Sequence, residues 1–196
     1  MESFYKVKTI TAPTEYPVTV SEAKEQANIT HEDDNALILR LIAAATNYVE
    51  NYCSIAIVRQ QKRMFFTRFY DVMSLPFGPV QSIQQIKYVD IDGATQTLST
   101  DVYDFNTVEN CVFLAYGKTW PATRAQQRAV YVDYWAGYYE PTESPIDQTV
   151  HIPEALKHAI LMLVSELDKN REAANELATY KNKMFDAILS PFREFF

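Results

Sequence analysis

Between Leu37 and Tyr52 apolar residues return every three or four positions. Leu37, Ile38, Leu41, Ile42, Ala45, Tyr48, Val49 and Tyr52 trace one face of a helix. Upstream, Thr19-Val20-Ser21-Glu22 has the capping-box spacing, in which hydroxyl and carboxylate each satisfy an orphan N–H of the other residue. It predicts a short helix running to about Asn28. A longer helix is expected to start at Thr30, with Glu32, Asp33 and Asp34 placing negative charge at the positive end of its dipole. The same spacing returns at Ile152, Leu156, Ala159, Ile160, Leu163, Val164 and Leu167, opened by Pro153. A polar, alanine-rich stretch from Asn170 to Thr179 precedes a last helical segment, Lys181–Leu189, which stops at Ser190-Pro191.

The period changes in between. Ile57–Thr67, Ile83–Ile91, Gln96–Leu98, Val102–Phe105, Val112–Tyr116 and Arg128–Tyr134 are rich in β-branched and aromatic residues and bounded by turn residues, so they predict strands. Asp92-Gly93 between two of them is a hairpin signal, and Pro76-Phe77-Gly78-Pro79 reads as a loop. No helix interleaves with these strands, which favours an antiparallel sandwich or small barrel over a parallel sheet. The predicted class is α+β: a bundle of N- and C-terminal helices, with core positions Leu37, Leu41, Tyr48, Leu156, Ile160 and Leu163, carrying an inserted antiparallel β-sandwich or small barrel. The expected division is 1–54 for the first helical part, 55–138 for the β-rich insertion, and 139–196 for a linker (Tyr139–Thr149), the C-terminal helices and a tail.

Composition narrows the chemistry. Four glycines in 196 residues, at 78, 93, 117 and 137, are too few and too far apart for a phosphate-cradling loop. Gly117-Lys118-Thr119 imitates the end of one, but Val112 stands where the first glycine belongs and Trp120-Pro121 where the helix should begin. Two cysteines and three histidines offer neither a disulfide framework nor a zinc-ligand spacing, and Cys53 reads as a small buried side chain. Asp90-Ile91-Asp92-Gly93 opens like a calcium loop but lacks the later ligands. His31, His151 and His158 stand in no nucleophile–base motif, so no catalytic residue, metal ligand or cofactor site is expected. There is no apolar run of membrane-spanning length and no signal-peptide pattern, which predicts a soluble protein made in a reducing cytoplasm. The net charge is −7, distributed as −4, −2 and −1 over 1–54, 55–151 and 152–196, without the basic excess that phosphate binding requires.

What remains is surface. Thirteen tyrosines and eleven phenylalanines exceed what an ordinary core uses, and aromatic residues are favoured at interfaces. Phe192, Phe195 and Phe196 crowd the last five positions, where chains are usually polar. They either fold back on the helices or dock on another molecule.

In their order along the chain, several segments resemble the head–tail connector (adaptor) proteins of tailed bacteriophages. These are Pro17-Val18-Thr19-Val20-Ser21-Glu22-Ala23-Lys24, His31–Asp34 leading into Ala36-Leu37-Ile38, and Leu75–Ile83. Tyr88–Gly93, Trp120-Pro121, Val132–Tyr138, Ile152–Ile160, Asn170–Ala173 and Leu189–Arg193 complete the set, from residue 17 to residue 193. Leu167-Asp168, where an aromatic residue is more usual, and the extension Glu194-Phe195-Phe196 depart from the pattern.

The resemblance implies a non-enzymatic virion protein of the neck, assembled in the host cytoplasm as a ring of twelve subunits under the portal. Ser190, Pro191, Phe192, Arg193, Phe195 and Phe196 would reach the portal, and the far face would receive the next tail or neck protein. Genome DNA would pass through the lumen without specific binding, and acidic groups facing the lumen would let it slide. The competing readings are another neck component, such as a tail-completion or stopper protein, and, further off, a carbohydrate-active enzyme using two of the many carboxylates.

Overall fold

The computed structural model describes residues 7–138, 152–169 and 183–193. The linker 139–149, the stretch Asn170–Thr179, His151, Phe195 and Phe196 lie outside the described residues. The fold mixes helices with antiparallel sheet, and the chain divides into two compact units. Of the described residues, one unit takes 14–58, 138, 152–169 and 183–193, the other 7–13 and 59–137.

The helical unit holds α1 (Val20–Ala27), α2 (Asn35–Cys53), α3 (Glu154–Lys169) and α4 (Lys183–Leu189). The capping box forms as the sequence predicts: Glu22 N–H donates to Thr19 Oγ1 (3.2 Å) and Thr19 N–H donates to Glu22 Oε2 (2.6 Å). The Thr19 N–H and hydroxyl, both donating to the Glu22 carboxylate, hold it below its ordinary pKa. Asn28 ends α1 in the left-handed region (φ 58°), a conformation Asn tolerates better than most residues.

The start of α2 differs from the expectation. It begins at Asn35, and Glu32 and Asp33 precede it with no acidic residue in its first turn. Glu32 instead pairs with Lys24 Nζ (2.9 Å), whose stem is buried, and accepts from the Asn35 side-chain amide. These contacts spend the carboxylate on the link between α1 and α2 rather than on the α2 dipole.

The helical core contains Ile38, Ile42, Ala45, Val49 and Cys53 from α2, with Leu156, Ala159, Ile160 and Val164 from α3, and Leu189. Leu41 and Leu163 are partly buried against it, and Leu37 is half-buried. Tyr48, expected in the core, is 51% exposed. Ala45 and Val49 occupy the inward face at that level, and the Tyr48 ring is left to stack at 6.1 Å on Tyr52.

The strand unit holds β1 (Val7–Thr11), β2 (Gln60–Phe66), β3 (Val72–Ser74), β4 (Val80–Val89), β5 (Thr95–Thr97), β6 (Tyr103–Asn106), β7 (Cys111–Leu114) and β8 (Val130–Ala136). They form two antiparallel sheets, ordered β1-β2-β8-β4-β5 and β3-β7-β6, and neither closes into a barrel. Six strands lie on segments predicted as strands, β8 two residues later than expected; β1 and β3 were not foreseen. The β4–β5 turn is organised by Asp90, whose Oδ1 accepts from Asp92 N–H (3.1 Å) and Ala94 N–H (2.9 Å). Gly93 sits at φ +92°, where a side chain would be strained and its Cβ would lie 2.5 Å from Arg124 Nη1.

Candidate assembly surfaces

Two places gather the aromatic residues that the sequence left without a role. The first is the C-terminal end of the helical unit. α4 leads into a single 3-10 turn, Ser190–Phe192, with Pro191 at its start. Leu189 is fully buried and Phe192 packs partly against the same core. Tyr52 Oη donates to Asp186 Oδ1 (2.6 Å), and the Arg193 guanidinium lies 4.9 Å above the Tyr52 ring. Phe185 meets Tyr48 and Tyr52 at 5.9 and 6.1 Å. The hydrogen bond to Asp186, followed by burial, pushes the Tyr52 phenol above its ordinary pKa. Burial pushes the Cys53 thiol up to about 11, as a small apolar filler under Leu189 would be. In the chain alone, therefore, Phe192 is folded back, while Ser190, Pro191 and Arg193 are exposed, Arg193 lying over the Tyr52 ring.

The second place is one face of the five-stranded sheet, and the register defines it. Val130, Val132, Tyr134 and Ala136 of β8 share one face with Met64 and Ile86, and all are buried. The Tyr134 hydroxyl, fully enclosed there, donates to the Pro76 carbonyl (2.6 Å). Tyr131, Asp133 and Trp135 point to the opposite side, beside Phe65, Arg63 and Gln61 of β2.

Asp133 is 1% exposed in the middle of the central strand. A carboxylate there is tolerable only if its lone pairs are filled. Arg63 does so with both arms, Nε to Oδ1 (2.6 Å) and Nη2 to Oδ2 (2.8 Å), and Gln85 Nε2 adds 2.7 Å from β4. Around this triad the cations lie flat on rings: Arg63 over Tyr131 (4.2 Å), Arg59 over Trp135 (4.3 Å) and Arg128 over Phe65 (5.2 Å). Sequence reading missed this face. A strand at Arg128–Tyr134 is readable from the sequence, but the partners of its Asp133 come from strands about fifty and seventy positions away.

Among the described residues no group of three or more acidic, histidine or cysteine side chains could hold a metal ion. No described helix is long and apolar enough to cross a membrane.

Residues 17–103 match the model of the phage gp6-like head-tail connector proteins. No curated protein matches the chain. Among solved structures, a chain in the virion of the native gene transfer agent (GTA) particle is similar, with a TM-score of 0.75 at 18% identity, over 97% of this chain and 96% of that one. A chain in the neck of the empty GTA particle, computed with C6 symmetry, gives the same values. The neck of the native particle, computed with C12 symmetry, gives 0.73 at 16% identity over the same shares. At this identity the likeness carries the fold, over nearly the whole length of both chains.

Proposed function

We propose that this chain, whose residues 17–103 match the model of the phage gp6-like head-tail connector proteins, is a structural subunit of a virion neck ring joining portal to tail. The observation that carries this reading is that the family match and the whole-chain likeness fall on the same fold. The C12 symmetry of the similar neck supports a ring of twelve. The chain acts as a building block rather than an enzyme; the folded-back aromatic end and the aromatic sheet face both suit contact with other proteins.

Within this reading the chain is organised as 1–54, 55–138 and 139–196: helices from both ends forming one bundle, and the strands inserted as a sandwich. Packing of α2 and α3 in one core supports the first part. Burial of Met64 and Val132 in one sheet and of Met73 and Val112 in the other supports the second. Ser190, Pro191, Phe192, Arg193, Phe195 and Phe196 dock on the portal, with the Tyr52 contacts holding the end until the portal takes it over. A tail or neck protein binds the far face, and DNA passes an acidic lumen without specific binding.

The test is a pull-down with purified portal. The full chain is expected to be retained, and deletion of 190–196 to abolish retention while the helical circular-dichroism signal stays. Equal retention of the truncated chain would refute the docking role. Retention by a second neck component but not by the portal would favour the tail-completion or stopper alternative.

A further inference from the structure

The face around Asp133 carries more positive than negative charge. Asp133 is neutralised by Arg63, and on the same face Lys8 stands opposite Arg63, Lys87 opposite Tyr131, and Arg128 lies over Phe65. No ion pair holds Lys8, Lys87 or Arg128 among the described residues, and Lys8 and Arg128 are exposed. The imbalance extends to the units. Described residues of the strand unit include nine Lys or Arg against seven Asp or Glu; those of the helical unit include six against eleven.

We infer that this cationic, aromatic sheet face docks on the acidic helical unit of a second copy of this chain, making the head-to-tail contact from which a ring closes. The inference rests on the ring reading above. Rings need a heterologous interface, in which two different surfaces of one chain complement each other. Opposite charge on the two units supplies that complementarity, whereas a two-fold contact would oppose like surfaces. Phe65, Tyr131 and Trp135, each partly exposed and each under an Arg guanidinium, have the composition of an interface centre. Nucleic acid is the weaker occupant: the Arg63 guanidinium is spent on Asp133 and Tyr131, and the whole chain has a net charge of −7.

The test is a charge swap on the full chain, read by sedimentation and negative-stain electron microscopy, with portal present where rings need it. One variant combines Lys8→Glu, Lys87→Glu and Arg128→Glu; the other combines Glu25→Lys and Asp33→Lys, at exposed carboxylates on α1 and the link after it. Circular dichroism controls for folding. Each variant alone is expected to associate at least about tenfold more weakly than the parent chain. Their equimolar mixture is expected to regain rings, because alternating subunits restore every opposite-charge contact. Added salt should weaken the parent rings.

If the parent chain forms rings and the triple variant forms them equally well, the ring reading stands and this docking is wrong. If the parent forms none, with or without portal, both fail. Unchanged rings together with loss of duplex-DNA binding by the triple variant would assign the face to nucleic acid and overturn the inference.

Discussion

In the helical unit the side chains at full burial are apolar. Ile42, Ala45, Val49, Leu156 and Ile160 meet in one core. Its enclosed carboxylate, Glu50, sits in the last turn of α2 and accepts from Ile57 N–H at 2.8 Å, filling an orphan donor just past the helix. The strand unit puts its buried carboxylate in the middle of the central strand and satisfies it from both neighbouring strands. The first unit is held by shape and tolerates surface change. The second has a polar centre whose members depend on one another, and that centre also fixes three strands in register.

The largest expected effect breaks this contrast at its polar end. Asp133→Ala leaves the partly buried Arg63 guanidinium without its carboxylate, a loss on the order of 4 kcal/mol in urea denaturation. Replacing both partners, Arg63→Met with Asp133→Leu, is expected to regain most of that loss; no difference between single and double variants would mean that the triad does not fix the sheet. Next comes the apolar end. Leu156→Ala is expected to cost about 3 kcal/mol through the cavity it leaves, and Tyr48→Ala well under half of that. Equal losses would return Tyr48 to the core.

Smaller effects sharpen the edges of the helical unit. Thr19→Ala removes the α1 cap and is expected to cost about 1 kcal/mol by thermal unfolding. Tyr52→Phe removes the donor to Asp186, so amide exchange in α4 should quicken while global stability hardly moves. The smallest effect belongs to Asp101, whose carboxyl is held at about 2 by its hydrogen bond to Lys118. Its folded pKa lies below the unfolded one, so its contribution is complete above about pH 4 and fades as the pH falls toward 2. Lys118→Gln should remove that fading from the acid-unfolding curve.

Much of the fold was legible because its signals are local. The capping box, the α2 and α3 stripes and the Asp90–Gly93 hairpin each lie within a few residues, and the structure contains all of them. Misplacements arose where a distant partner decides. The start of α2 moved to Asn35 because Lys24 claims Glu32. Tyr48 turned outward because Tyr52 and Phe185 offer it a stack. β1 and β3 are short edge strands, β1 mostly exposed and β3 only three residues long, with too little patterning to announce themselves. The aromatic excess was visible from composition, but its gathering on the Asp133 face depends on strand register, which pairs residues 61–66 with 130–135.

A connector subunit of a neck closes into a ring. Electron microscopy of the purified chain, alone and mixed with its portal, tests it most directly. Twelve-fold rings are expected, at least with the portal present. A chain that stays monomeric in both samples would contradict it.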